Sequence, residues 1–162
     1  MELPEEVTDV FERTLSCEMT TLSRTGPVTW PMVAMWKPED SEFVLVTGVA
    51  LPRKLHNLHR DNRIGLLFSD FTGSGLVNPP QVLVQGRATV PDELLTIEGL
   101  EDFWDFIFRR RPSFADEYAL DTEQQQQLHP GLVWRIRVTV TPERVWAFRR
   151  DGAGTQNLER VA

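Results

Sequence analysis

FVLVTG (residues 43–48), VALPRKLHNLHRDNR (49–63), IGLLFSDF (64–71) and, after a loop, QVLVQGRATV (81–90) are the segments on which the reading of this chain turns. The first and third are short runs of β-branched, aliphatic and aromatic residues, as strands require. The fourth alternates with a period of two. Lys54, one of only two lysines in 162 residues, stands beside Arg53 just after the strand that ends in Thr47 and Gly48. A phosphate of charge about −2 needs converging donors. Arg53 offers a planar fork, Lys54 a point charge, and Thr47 with nearby backbone N–H groups can complete a cradle.

On the N-terminal side, PEEVTDVFERTLSCEM (4–19) sets Val7, Val10, Phe11, Leu15 and Met19 on one helical stripe, with Pro4 and early glutamates suited to a helix start. TTLSRTGPVTWPMVAMW (20–36) alternates around a Gly26-Pro27 turn, so two paired strands are expected, followed by a turn at Lys37 to Glu42. On the C-terminal side, Leu55 to Arg60 makes a short helix, Thr72 to Pro80 a loop, and Gly86 marks a bulge or a close backbone approach. Leu94, Leu95, Ile97, Leu100, Phe103, Trp104, Ile107 and Phe108 crowd one side of a helix that ends in Arg109, Arg110 and Arg111. A weaker helix is expected from Ser113 to Leu128. Leu132 to Val140 and Val145 to Arg149 read as the last two strands, split by a Thr141-Pro142 turn. The fold expected is mainly β (α+β): six or seven antiparallel strands in a closed or nearly closed split barrel, with an N-terminal helix and a helical insertion before the last two strands. One domain spans residues 1–150, and 151–162 form a flexible tail.

A net charge of −7 argues against nucleic acid or an anionic membrane as partner, since both demand a broad basic surface. A lone Cys17 forms no internal disulfide and reads as a small buried residue. With no apolar run of transmembrane length and no signal-peptide pattern, a cytoplasmic location is expected.

The order TTLSRTGPVTWPM, FVLVTG with PRKLHNLHRDNRIGLLF, PQVLVQGRATV and VWRIRVTVTPERVWAF resembles the pyridoxamine 5'-phosphate oxidase-like split-barrel family, which binds flavin and deazaflavin cofactors, over Val7 to Phe148. The resemblance implies a homodimer with the cofactor at its interface and the phosphate against the loop after residues 43–47. Val46, Thr47 and Gly48 would meet the ribityl-phosphate end, and Arg53 with Lys54 would hold the phosphate. Gln81 would hydrogen-bond the cofactor, and the backbone of Met32 and Val33 would border the ring. The true oxidase carries an Arg and a Lys on the strand before the phosphate loop, where this chain has the apolar run Trp30 to Trp36. It also ends in an Arg-x-His-x-Arg signature that this chain lacks. Pyridoxamine 5'-phosphate oxidation is therefore not expected. The activity implied is hydride transfer between a reduced cofactor and a small-molecule substrate. Flavin mononucleotide (FMN) is preferred over the deazaflavin coenzyme F-420, whose polyglutamate tail would benefit from a basic groove not evident outside Arg109 to Arg111. No catalytic side chain is assigned, because the cofactor carries such chemistry.

Other chemistry is weaker. His56 and His59 are three apart and would share a helix face as metal or heme ligands, but no Cys or HExxH spacing accompanies them, and no metal site is assigned. Glu101, Asp102 and Asp105 lie on the charged side of an amphipathic helix, where carboxylates face solvent. A non-catalytic flavin or heme binder on the same barrel is the rival reading.

Overall fold

The computed structural model describes residues 1–113, 133–150 and 154–162. Helix α1 (Glu5–Arg13) begins after Pro4, with Glu5 and Glu6 in its first turn and Arg13 in its last, and buries Val7, Val10 and Phe11. The helix stops there. Met19 belongs instead to β1 (Ser16–Ser23), where Cys17, Met19 and Thr21 alternate inward. Pairing on both edges, to β2 (Gly26–Val33) and β5 (Arg63–Phe68), overrides the helical spacing of Leu15 and Met19. Arg24 and Thr25 form the hairpin turn, and Gly26 takes φ of +133°, a conformation that glycine alone adopts cheaply.

The chain continues through β3 (Met35–Lys37), β4 (Glu42–Gly48), α2 (Arg53–Arg60), β5, β6 (Gln81–Thr89), α3 (Glu101–Arg110), β7 (Arg135–Arg150) and β8 (Gln156–Arg160). All eight strands pair antiparallel in the order β2-β1-β5-β6-β7-β4-β3, with β8 added to β7. The two outermost strands of that order, β2 and β3, are separated in the chain by Ala34 alone, so the sheet curls back on itself as a split β-barrel.

Alternation decides what fills the barrel. Phe43 and Leu45 of β4, Leu66 and Phe68 of β5, Val82 and Val84 of β6 and Val138 and Val140 of β7 point inward into one core. Helix α1 plugs the end where β4 starts. There the Phe11 ring lies 4.8 Å from Phe43, 5.1 Å from Phe68 and 5.3 Å from Trp36. Helix α2 covers the end where β4 finishes, burying Leu55 and Leu58, and Asn57 Nδ2 donates to Thr21 Oγ1 at 3.1 Å. A second cluster lies outside the barrel, where Phe103, Phe106 and Ile107 of α3 cover Met35 and Val44.

Several expectations are corrected. Among the described residues the sheet has eight strands. The two expected last strands are one: Thr141-Pro142 does not end β7, because the register against β6 skips Glu143 and the chain runs on through a bulge. Gly86 faces that bulge, where a Cβ would lie 2.3 Å from the Thr141 carbonyl oxygen, the close approach its sequence position signalled. Helix α3 begins only at Glu101, because Leu95 exchanges both backbone hydrogen bonds with Arg135 and Gly99 takes φ of +84°. The tail read as loose supplies β8, and Val145 brackets Val161 and Ala162 with backbone bonds. The helix expected from Ser113 to Leu128 lies outside the described residues. No helix among the described residues is long and apolar enough to cross a membrane.

Candidate functional site

The chain leaves β4 at Thr47 and Gly48 and re-enters regular structure at Arg53, so the end of β4 and the first turn of α2 meet at one end of the barrel. Three polar features there lack the partners that folded proteins normally provide. Thr47 is buried and its Oγ1 has no hydrogen-bond partner. Lys54 is half-buried and its Nζ donates to Met32 Sδ at 3.4 Å, a weak acceptor for an ammonium. Burial pushes the Lys54 amine below its ordinary value. The first turn of α2 carries no acidic residue and no side-chain cap, so its N–H groups and the positive end of the helix dipole meet no carboxylate of that turn.

Met32 is brought to this corner by the register Met35↔Val44, which, continued past Ala34, sets Met32 toward Thr47 and Val33 toward Val46. The four do not share a face. Met32 and Thr47 point toward the barrel interior, whereas Val33 and Val46 point outward and pack against the α3 cluster. Only their backbone can serve one ligand together. Arg53 and Lys54, adjacent on a helix of 3.6 residues per turn, diverge as well. Lys54 turns into the barrel end, and Arg53 is exposed on the side of the β1–β2 hairpin. Gly48 is paired with Arg135, whose guanidinium is 3.4 Å from the place a Gly48 Cβ would occupy. Arg135 thus adds a cation that the sequence reading missed.

Gln81 is not brought to this corner. From Met32 the sheet passes to Cys17, then across β5 to Val82, so two strands intervene, a path of about 14 Å around the barrel wall. The Gln81 side chain is exposed outside, in a depression with Asn78, Phe148 and Arg150. His56 and His59 are both exposed on α2.

Asp102 does not face solvent freely. Arg137 Nη1 and Nη2 donate to its two oxygens at 2.8 Å each, and Lys37 Nζ lies 3.1 Å away, tying α3 to β7 and β3. Arg137, then Lys37, hold its carboxyl well below the usual carboxylate range. Because this bridge employs Lys37, Lys54 is the chain's one lysine without an ion pair among the described residues.

The family model described as pyridoxamine 5'-phosphate oxidase matches residues 3–146. No curated protein matches by sequence. Among solved structures, the chain is similar to a protein related to general stress protein 26, of the pyridoxinephosphate oxidase family, from Clostridium acetobutylicum. That pair shows 15% identity, 96% of this chain and 92% of that one covered, and a TM-score of 0.61. A pyridoxamine 5'-phosphate oxidase-related, FMN binding protein from Nostoc punctiforme matches at 12% identity, 100% of both chains and 0.54. A protein named F-420 reductase matches at 15%, 88% and 98% coverage and 0.59. At these identities the solved structures speak for the fold alone. The match over most of its length, on a barrel of this topology, makes the chain a member of the pyridoxamine 5'-phosphate oxidase family.

Proposed function

We propose that this chain is a flavin-type oxidoreductase that works as a homodimer and acts on a small molecule. The observation that carries the reading is the corner where the buried Thr47 hydroxyl, the desolvated Lys54 ammonium and the uncapped start of α2 converge without an internal anion. A phosphate monoester satisfies all three at once, each charge-assisted bond contributing about 1.5–3 kcal/mol. Phosphate-bearing flavin-type cofactors fit, and FMN is the smallest of them; the deazaflavin coenzyme F-420 is the alternative. Names of solved relatives that include FMN binding and F-420 reductase agree with that chemistry.

In this reading Thr47 and Lys54 hold the anionic end, and the backbone of Met32, Val33 and Val46 borders the ring. The α3 cluster behind Val33 and Val46 keeps that stretch of wall apolar. When bound, the ring supplies hydride transfer, and the chain supplies binding, orientation and exclusion of water. Gln81 stands around the barrel wall from Lys54. A cofactor touching both is met by Gln81 of the partner subunit, which is why a dimer belongs to the proposal. The test is the visible spectrum and native mass of the purified protein, alone and with FMN or F-420. A dimer that takes up either cofactor and bleaches with a reductant supports the reading; a protein that ignores both overturns it.

A further inference from the structure

The geometry points to Met32 as an oxidation site: a peroxide that converts its thioether to a sulfoxide makes the side chain capture Lys54 and so weakens the hold on the cofactor. The capture depends on the fold alone, and its effect on the cofactor rests on the flavin-type reading. Met32 stands on β2 opposite Cys17 of β1, with its side chain in the barrel core at the end where β4 finishes. Lys54 Nζ approaches its Sδ to 3.4 Å, although a thioether is a poor acceptor for an ammonium. The buried Thr47 hydroxyl at the same corner has no partner either. The corner is therefore rich in donors and holds one weak acceptor.

Adding one oxygen atom changes that. Hydrogen peroxide transfers an oxygen to Sδ, its O–O bond breaks, the sulfur gives up two electrons and water leaves. The sulfoxide oxygen is a polar acceptor on what was an apolar side chain. Because it is bonded to the sulfur that Nζ already approaches, it comes within hydrogen-bond reach of the ammonium. An internal acceptor then competes with the phosphate for Lys54. The step is reversible, since methionine sulfoxide reductases return the thioether. Position selects this residue among its rivals. Met32 is the most accessible of the three buried methionines, at 9% exposure against 5% for Met35 and 2% for Met19. Met1 is exposed, but its amino group donates to Ser41, beside the opposite end of β4. Cys17 does not compete for the oxidant, because burial pushes its thiol up to about 12 and leaves almost no thiolate. Oxygen that takes two electrons and two protons from a reduced cofactor becomes hydrogen peroxide, so in the flavin-type reading the oxidant arises beside its target.

The experiment treats wild type and M32L with hydrogen peroxide, locates the added oxygen by peptide mass spectrometry, and titrates each protein before and after with FMN or F-420, whichever wild type binds. Leu nearly conserves the volume of Met and offers no sulfur. In wild type, Met32 should gain one oxygen and cofactor affinity should fall about tenfold, the loss of one charge-assisted bond at the lower end of its range. Methionine sulfoxide reductases should restore it. M32L, whatever its starting affinity, should keep that affinity after peroxide. A second readout needs no cofactor: in oxidised wild type the Lys54 amine should titrate higher by NMR, because the new acceptor favours its charged form. The inference is overturned if Met32 resists peroxide that oxidises Met1, if its sulfoxide leaves the Lys54 signal or the cofactor affinity unchanged, or if M32L loses as much affinity as wild type. Circular dichroism adds a further arm, since an oxidised protein that unfolds shows a damaged core rather than a captured lysine and overturns it too. If no flavin binds wild type, the functional proposal fails, and the Lys54 signal decides the capture alone: a rise on oxidation upholds it, and an unmoved signal overturns it.

Discussion

Replacing Lys54 by Met separates a binding cation from a structural one, because Met keeps an unbranched apolar stem beside Met32 and deletes only the charge. Two effects of opposite sign follow. In the free protein the amine is pushed down by burial, so its protonated form opposes folding. For a group lowered in the folded state, the wild type is relatively more stable above the unfolded value and less so as pH falls through the folded one. At neutral pH the variant is therefore as stable as wild type or slightly more so. Lys54 is only half-buried, so solvent screening keeps that gain below about 1 kcal/mol. Cofactor binding moves the other way. Loss of one charge-assisted bond, about 1.5–3 kcal/mol, weakens Kd by about 10- to 150-fold, and partial exposure favours the lower end. Flavin-fluorescence titration and thermal denaturation, run on the same samples, read both quantities. An unchanged Kd, or a Tm several degrees lower, refutes the reasoning.

Thr47→Val deletes the partnerless buried hydroxyl while keeping the shape. Denaturant titration of the free protein should show stability unchanged or raised by about 1 kcal/mol, while phosphate-bearing flavins bind more weakly and riboflavin does not. Phe11→Ala empties the plug between Phe43, Phe68 and Trp36 and should cost about 3–5 kcal/mol in the same assay. Asp102→Asn frees Arg137 and Lys37; because the groups are partly exposed, the loss at neutral pH should be about 1 kcal/mol or less. Since the carboxyl is lowered in the folded state, its contribution is complete above the ordinary carboxylate range and fades as pH falls below it. The stability difference between wild type and variant should shrink in acid.

Much of the barrel was legible because strand signals are local: β6 could be read from its period-two run, β5 from a short aliphatic and aromatic run, and Gly86 from its place within β6. The Thr47 to Lys54 corner was legible for the same reason, since one strand end and the next helix start lie within a few residues. What needed three dimensions was direction and partnership. Sequence order cannot say that Arg53 and Lys54 turn apart, or that Met32 and Thr47 take one face while Val33 and Val46 take the other. Nor could it reveal that Arg24 returns beside Arg60, because a hairpin and a helix distant in the chain must pack before the two meet. Asp102 read as solvent-facing because nothing local announces Arg137 and Lys37. Pro142 read as a stop, although opposite a bulge it lets β7 continue.

The chain's two lysines make the central claim directly measurable. Lysine side chains labelled with nitrogen-15 and carbon-13 should give two NMR signals, and K54M identifies that of Lys54. In the free protein Lys54 should titrate below the ordinary lysine value. Saturation with a phosphate-bearing flavin should raise it. A Lys54 signal that titrates at its ordinary value and does not respond to any flavin would contradict the account.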